Sequence, residues 1–274
     1  EDRQAPAKLE AILNSPSHIP VLQDIDFLNS NEARGVRLQL DYQKPESLLV
    51  EQAIENTIVV FGSTRIVEPA SARRKVDRLR EALALSPGDS GLQERLVIAE
   101  RILFKSRYYE IARKFSSLVA NAGDGPGDSR LVIMTGGGPG IMEAANRGAA
   151  DAGAQSIGLN IVLPMEQEPN PYITPELCFQ FHYFAIRKMH FLMRAKAIAV
   201  FPGGFGTLDE MFEALTLIQT KRMKPVPFLL FGRKFWDGVI NWQALAEAGT
   251  IAAEDLNLFH YVETAEEALA AIAP

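Results

Sequence analysis

Only one cysteine, Cys178, is present, so no disulfide can form within the chain. A reducing, cytoplasmic setting is the expectation that follows. Basic charge is also scarce: 28 Lys and Arg face 34 Asp and Glu, giving a formal net charge of −6. Nucleic-acid-binding chains usually present a basic face, so no nucleic-acid partner is expected. A small anion is still admissible, because a few convergent N–H groups outweigh overall charge. Apolar runs such as 197–201 are far too short to span a bilayer, so no membrane partner is expected. Neither His182 nor His190 shows metal-ligand spacing with the other or with Cys178, and both read as packing or surface residues. No secretory leader, internal repeat or low-complexity tract is recognisable.

What is present is an ordinary globular composition, 47% hydrophobic and 23% charged over 274 residues. Residues 1–56 lack a repeating pattern and carry Pro6, Pro16, Pro20 and Pro45. They read as an extension with short helices, docked through Leu22, Ile25, Phe27, Leu28, Leu48 and Leu49. The first clear strand is 57–61, ending in Gly62-Ser63-Thr64-Arg65. Helical patterns over 70–85 and 92–120 follow, a helical insertion at about 66–120. Its basic cluster Arg73-Arg74-Lys75 reads as a solvated helix face.

From residue 131 the rhythm becomes strand, glycine turn, helix. Strands are expected at 131–134, 156–162, 177–181, 197–201 and 227–231, with helices after residue 140, over 183–196, after residue 206 and over 236–248. Such alternation predicts an α/β fold, a doubly wound, mostly parallel sheet with helices on both faces, spanning 57–274.

Three glycine-bearing turns fall at strand carboxyl ends, where parallel sheets bind ligands: Gly62-Ser63, Gly136-Gly137-Gly138-Pro139-Gly140, and Gly203-Gly204-Phe205-Gly206. Each precedes a helix, whose unpaired N–H groups make an anion site, phosphate being the natural guest. One turn alone connects elements as often as it binds; two dense clusters at equivalent positions favour a ligand. Neither cluster is a dinucleotide fingerprint, since Ile141 stands where the third glycine belongs, and no P-loop pattern occurs.

Charged residues stand beside these turns. Thr207 followed by Glu210 reads as a capping box, a role compatible with a catalytic one. Arg187 and Lys188 fall near a helix start, where cations oppose the dipole unless they meet an anion or a carboxylate. Arg187, His190 and Arg194 share a helical face. Glu143 opens the helix after the triple glycine and is a candidate contact for a base or sugar.

The run Gly136-Gly137-Gly138-Pro139-Gly140-Ile141-Met142-Glu143, the Arg187-Lys188 pair and Pro202-Gly203-Gly204-Phe205-Gly206-Thr207-Leu208-Asp209-Glu210 together resemble the LOG (LONELY GUY) family, often labelled lysine decarboxylases. The resemblance covers roughly 57–64 and 130–232. It implies a Rossmann-like fold and hydrolysis of a nucleoside 5′-monophosphate, AMP or an N6-modified AMP of cytokinin type, to free base and ribose 5-phosphate. It also implies Arg187 and Glu210 as the catalytic pair and Gly203, Gly204, Gly206 and Thr207 as a phosphate cradle. Gly137 and Gly138 are implied to face that cradle, with Gly62, Ser63, Glu143 and Lys188 as further binding candidates. No metal or organic cofactor is implied, and a homodimer or higher homo-oligomer is. Two alternatives stand beside this: a non-catalytic nucleotide or cofactor carrier, and a lysine decarboxylase, for which Lys188 and Lys196 are only generic Schiff-base candidates.

Overall fold

The computed structural model describes residues 2–122, 131–163 and 168–272. Its strands are β1 (Thr57–Phe61), β2 (Val132–Thr135), β3 (Ser156–Ile161), β4 (Cys178–Phe181), β5 (Ala195–Val200), β6 (Phe228–Phe231) and β7 (His260–Val262). They form one seven-stranded sheet in the order β4-β3-β2-β1-β5-β6-β7. Every pairing is parallel. The helices are α1 (Ala5–Leu13), α2 (Ile25–Asn29), α3 (Arg34–Glu51), α4 (Pro69–Leu85), α5 (Ser90–Lys105) and α6 (Arg107–Asn121), then α7 (Ile141–Asp151), α8 (Phe184–Met193) and α9 (Phe205–Gln219). The chain continues with α10 (Arg233–Val239), α11 (Trp242–Glu247) and α12 (Ala265–Ile272). Among the described residues, no helix is long and apolar enough to cross a membrane.

Two apolar layers sandwich the sheet, as its unbroken apolar strands require. In β1, Val59 and Phe61 face one layer, Ile58 and Val60 the other. The first layer brings in Leu49 of α3, Phe191 of α8, Met211 of α9 and Trp236 of α10. The second brings in Tyr109 and Phe115 of α6, Ala144 and Ala145 of α7 and Ala268 of α12. This is a doubly wound, Rossmann-like sheet with helices on both faces.

Several elements depart from the sequence reading. The helical pattern over 92–120 is two helices, because the Ser106 hydroxyl donates back to the Leu103 carbonyl and the chain turns there. The helical region expected over 236–248 consists of α10 and α11, parted where Ile240 is extended and Asn241 caps α11. The short strand β7 and helix α12 were not anticipated. In the N-terminal segment α3 runs 18 residues straight through Pro45, so not all its helices are short. Of the expected docking residues, Leu49 is buried and Leu48 packs on the core, but Leu22, Ile25 and Phe27 remain exposed. Polar contacts from α3 replace them.

Helices α6 and α7 approach so closely that a Cβ on Gly148 would collide with the Arg113 carbonyl. Gly148→Ala is therefore expected to destabilise the fold by about 1–3 kcal/mol, since overpacking forces backbone to move. Thermal unfolding followed by circular dichroism checks this; an unchanged midpoint would mean that the two helices separate freely.

Candidate functional site

The sheet order reverses around β1, whose neighbours are β2 and β5, and such a switch point opens a crevice at the strand carboxyl ends. Three turns meet there. The Ser63 N–H donates to the Pro202 carbonyl at 3.1 Å, and the Ile141 N–H donates to the Ser63 carbonyl at 3.1 Å. Gly140, at φ +74°, has no room for a side chain because the Ser63 carbonyl lies against it. The result is a cleft of about 530 Å³ lined by the 61–65 turn, Gly136, Met142, Arg187 and the opening of α9.

Helix α9 begins at Phe205 with Gly204 as its N-cap, and among the described residues no side chain caps it. The expected capping box is not formed: Thr207 lies within the first turn, buried against Gly203, and Glu210 lies a turn further on. Gly204, Phe205, Gly206 and Thr207 all line the cleft. Uncapped N–H groups and the positive end of the helix dipole are thus presented to it.

Arg187 and Glu210 face each other across the same space. Their side chains are each 12% exposed and the guanidinium Nη1 lies 3.7 Å from the Glu210 Oε1, an ion pair too long to be a hydrogen bond. Arg187 is held in place by donating its Nε–H to the Leu159 carbonyl at 2.7 Å and by lying 5.0 Å over the Phe191 ring. It has room because Gly136 lacks a Cβ, which would sit 2.6 Å from the guanidinium. Burial pushes the Glu210 carboxyl from an ordinary 4.5 up to about 7, and the charge of Arg187 only partly opposes it. A carboxyl poised near neutrality can hold or release a proton at working pH.

Not every expected site residue reaches this space. Gly62, Ser63, Gly204, Gly206 and Thr207 line the cleft with Arg187 and Glu210, while Gly203 lies behind Thr207. Lys188 lies outside the lining, clamped by Asp209 at 3.0 Å and Glu213 at 2.8 Å, so it ties α8 to α9. Glu143 points away to helix α6, accepting the Tyr109 hydroxyl at 2.7 Å. Gly137 and Gly138 also turn aside: Asn170 Nδ2 donates to both carbonyls at 3.1 Å. His190 and Arg194 leave Arg187 and contact α3 instead.

Other residues take these places. Arg65, Met142, Phe184, Phe205 and Asp209 line the cleft without having been singled out as site residues. Phe205 was visible as an aromatic inside a glycine turn, and it is 91% exposed. Behind the triple glycine, Asn170 also donates to the Asn146 Oδ1 at 2.9 Å, and Thr135 Oγ1 accepts from Gly137. This buried network moulds the turn, and nothing in local sequence announces it.

Residues 142–272 match the family model described as "Possible lysine decarboxylase". No curated protein matches the chain. Among solved structures, the X-ray structure of TM1055 is 20% identical, covers 79% of this chain and 98% of its own, and has a TM-score of 0.46. The molybdenum cofactor binding protein from the phototrophic bacterium Rippkaea orientalis is 18% identical, covers 60% of this chain and 85% of its own, and has a TM-score of 0.43. Residues 142–272, just under half of the chain, match that model, and the triple-glycine turn, the Arg187-Lys188 pair and the 202–210 run follow one another in the order in which the chain resembles the LOG family, whose members have often carried the decarboxylase label.

Proposed function

We propose that the chain hydrolyses the N-glycosidic bond of a nucleoside 5′-monophosphate, AMP or an N6-modified AMP, to free base and ribose 5-phosphate. The observation that carries this reading is the pairing, in one cleft, of an uncapped helix start with a buried carboxyl at about 7 beside a guanidinium. The N–H groups at the start of α9 would receive the 5′-phosphate, placing the ribose towards Glu210 on the next turn of the same helix.

Breaking the C1′–N bond builds oxocarbenium character on the ribose. Ionised Glu210 stabilises that charge or takes a proton from the attacking water; either role needs the carboxylate. Arg187 keeps Glu210 oriented or binds the sugar. Phe184 and Phe205, exposed at the rim, offer apolar faces for a flat base. Family resemblance adds a homodimer or higher assembly and no cofactor. The decarboxylase label gains nothing from Lys188, whose ammonium is engaged by two carboxylates, or from Lys196, which is exposed.

Incubation with AMP, N6-isopentenyl-AMP, GMP and CMP, followed by chromatography for free base, tests the reading. Release from the adenine nucleotides is expected, and the faster of the two names the preferred base. Release from none, despite measurable nucleotide binding, would leave a carrier in place of an enzyme.

A further inference from the structure

Helix α8 opens without a cap of its own, has no acidic residue in its first turn, and carries Arg187 and Lys188 close to its start. Both cations oppose the helix dipole. The missing anion comes from α3. Asp41 accepts the His182 N–H at 3.0 and 3.1 Å and the Tyr183 N–H at 2.8 Å, just where α8 begins. Contacts continue along both helices. Arg37 Nε donates to the Tyr183 hydroxyl at 3.3 Å, and His190 Nε2 lies 3.1 Å from the Tyr42 carbonyl. At the far end Arg194 makes two bonds to Glu46, at 2.8 and 2.7 Å, which hold the Glu46 carboxyl below its ordinary range. Helix α8 is therefore held just before its start, at His190 and just past its end by a helix that contributes no lining residue to the cleft.

We propose that α3 is a splint for α8 and that Asp41 is a positioning residue, setting Arg187 against Glu210 by anchoring the chain immediately before the helix that carries it. This rests on the reading of Arg187 and Glu210 as the catalytic pair. At 3.7 Å the pair is sensitive to small shifts of α8, while the phosphate cradle belongs to α9 and is not held by α3. Turnover, rather than substrate capture, is what the splint controls. The protonation of Glu210 follows too. It is faced by Arg187 and Lys188 from α8 and by Asp209 and Glu213 on its own helix, while Arg65 lines the same cleft. Loosening α8 weakens the two cations that favour its ionised form.

The test compares Asp41→Ala and Asp41→Asn with the unaltered chain, by steady-state kinetics on AMP and by hydrogen exchange of the α8 amides. For Asp41→Ala, faster exchange in α8, a kcat lower by about tenfold or more, a KM within about threefold and an upward move of the pH midpoint are expected. Asparagine, which still accepts N–H bonds, should restore part of the loss. Unchanged exchange would overturn the splint. Faster exchange with unchanged kcat and pH midpoint would also overturn it, reducing Asp41 to a stability residue. Absence of base release by the unaltered chain would sink the hydrolase reading instead, and α8 exchange would still decide whether Asp41 holds the helix.

Discussion

Glu210→Gln is expected to abolish base release, by about two to three orders of magnitude in kcat, while making the protein more stable at alkaline pH. The first effect follows because both available roles for this residue need a carboxylate. The second follows from linkage. The folded-state value of about 7 lies above the ordinary 4.5, so between these pH values the folded chain holds a proton that the unfolded chain has released. Stability from this group is fully present below pH 4.5, falls as pH rises through that window, and is lost above about 7. Glutamine is never ionised and escapes this cost. The melting midpoint of Glu210→Gln should therefore exceed that of the unaltered chain at pH 8 and match it at pH 4. Because Glu210 makes no cap, the helix start should not suffer. For the unaltered chain, kcat/KM should rise with pH through about 7, the limb that reports ionisation of Glu210. A fully active glutamine variant would return Glu210 to a structural role.

Arg187→Ala is expected to lose about two orders of magnitude in kcat/KM, with a smaller fractional loss of stability. Removing the guanidinium takes away the nearest charge favouring the Glu210 carboxylate, so the pH midpoint of any residual activity should rise above about 7. Some stability is also lost, because the Leu159 carbonyl loses its donor and the Phe191 ring its cation. Lysine is not an adequate replacement, having no planar fork to bond Leu159 while facing Glu210. Thermal midpoints and pH–rate profiles measured together separate the possibilities. A fall in stability with unaltered activity and unaltered pH midpoint would mark Arg187 as an ordinary ion-pair partner.

The sheet was legible in sequence because its strands are buried on both faces. Runs such as 57–61 and 228–231 carry little besides β-branched, aromatic and leucine residues, and glycine turns mark where they end. The meeting of Arg187 with Glu210 was legible only through motif order, since 22 intervening residues and a strand separate them. What escaped depends on distant partners. Lys188 looks like its neighbour Arg187, yet α9 presents it with two carboxylates. Gly137 and Gly138 are implied by the resemblance to face the phosphate cradle, yet Asn170, more than 30 residues on, binds their carbonyls. Residues 1–56 read as short helices, yet Pro45 sits buried inside the 18-residue α3, and Ser106 lies within the helical pattern over 92–120 but ends α5. Asp41 carries no local signal at all; its partners are about 140 residues away.

The most direct test offers the purified chain AMP and adenosine side by side, with free adenine and ribose 5-phosphate measured by chromatography. Adenine and ribose 5-phosphate from AMP, with adenosine untouched, is the expected result, because in the proposed reading a 5′-phosphate seated at the start of α9 places the ribose at Glu210. Equal cleavage of adenosine, or intact AMP after prolonged incubation, would contradict it.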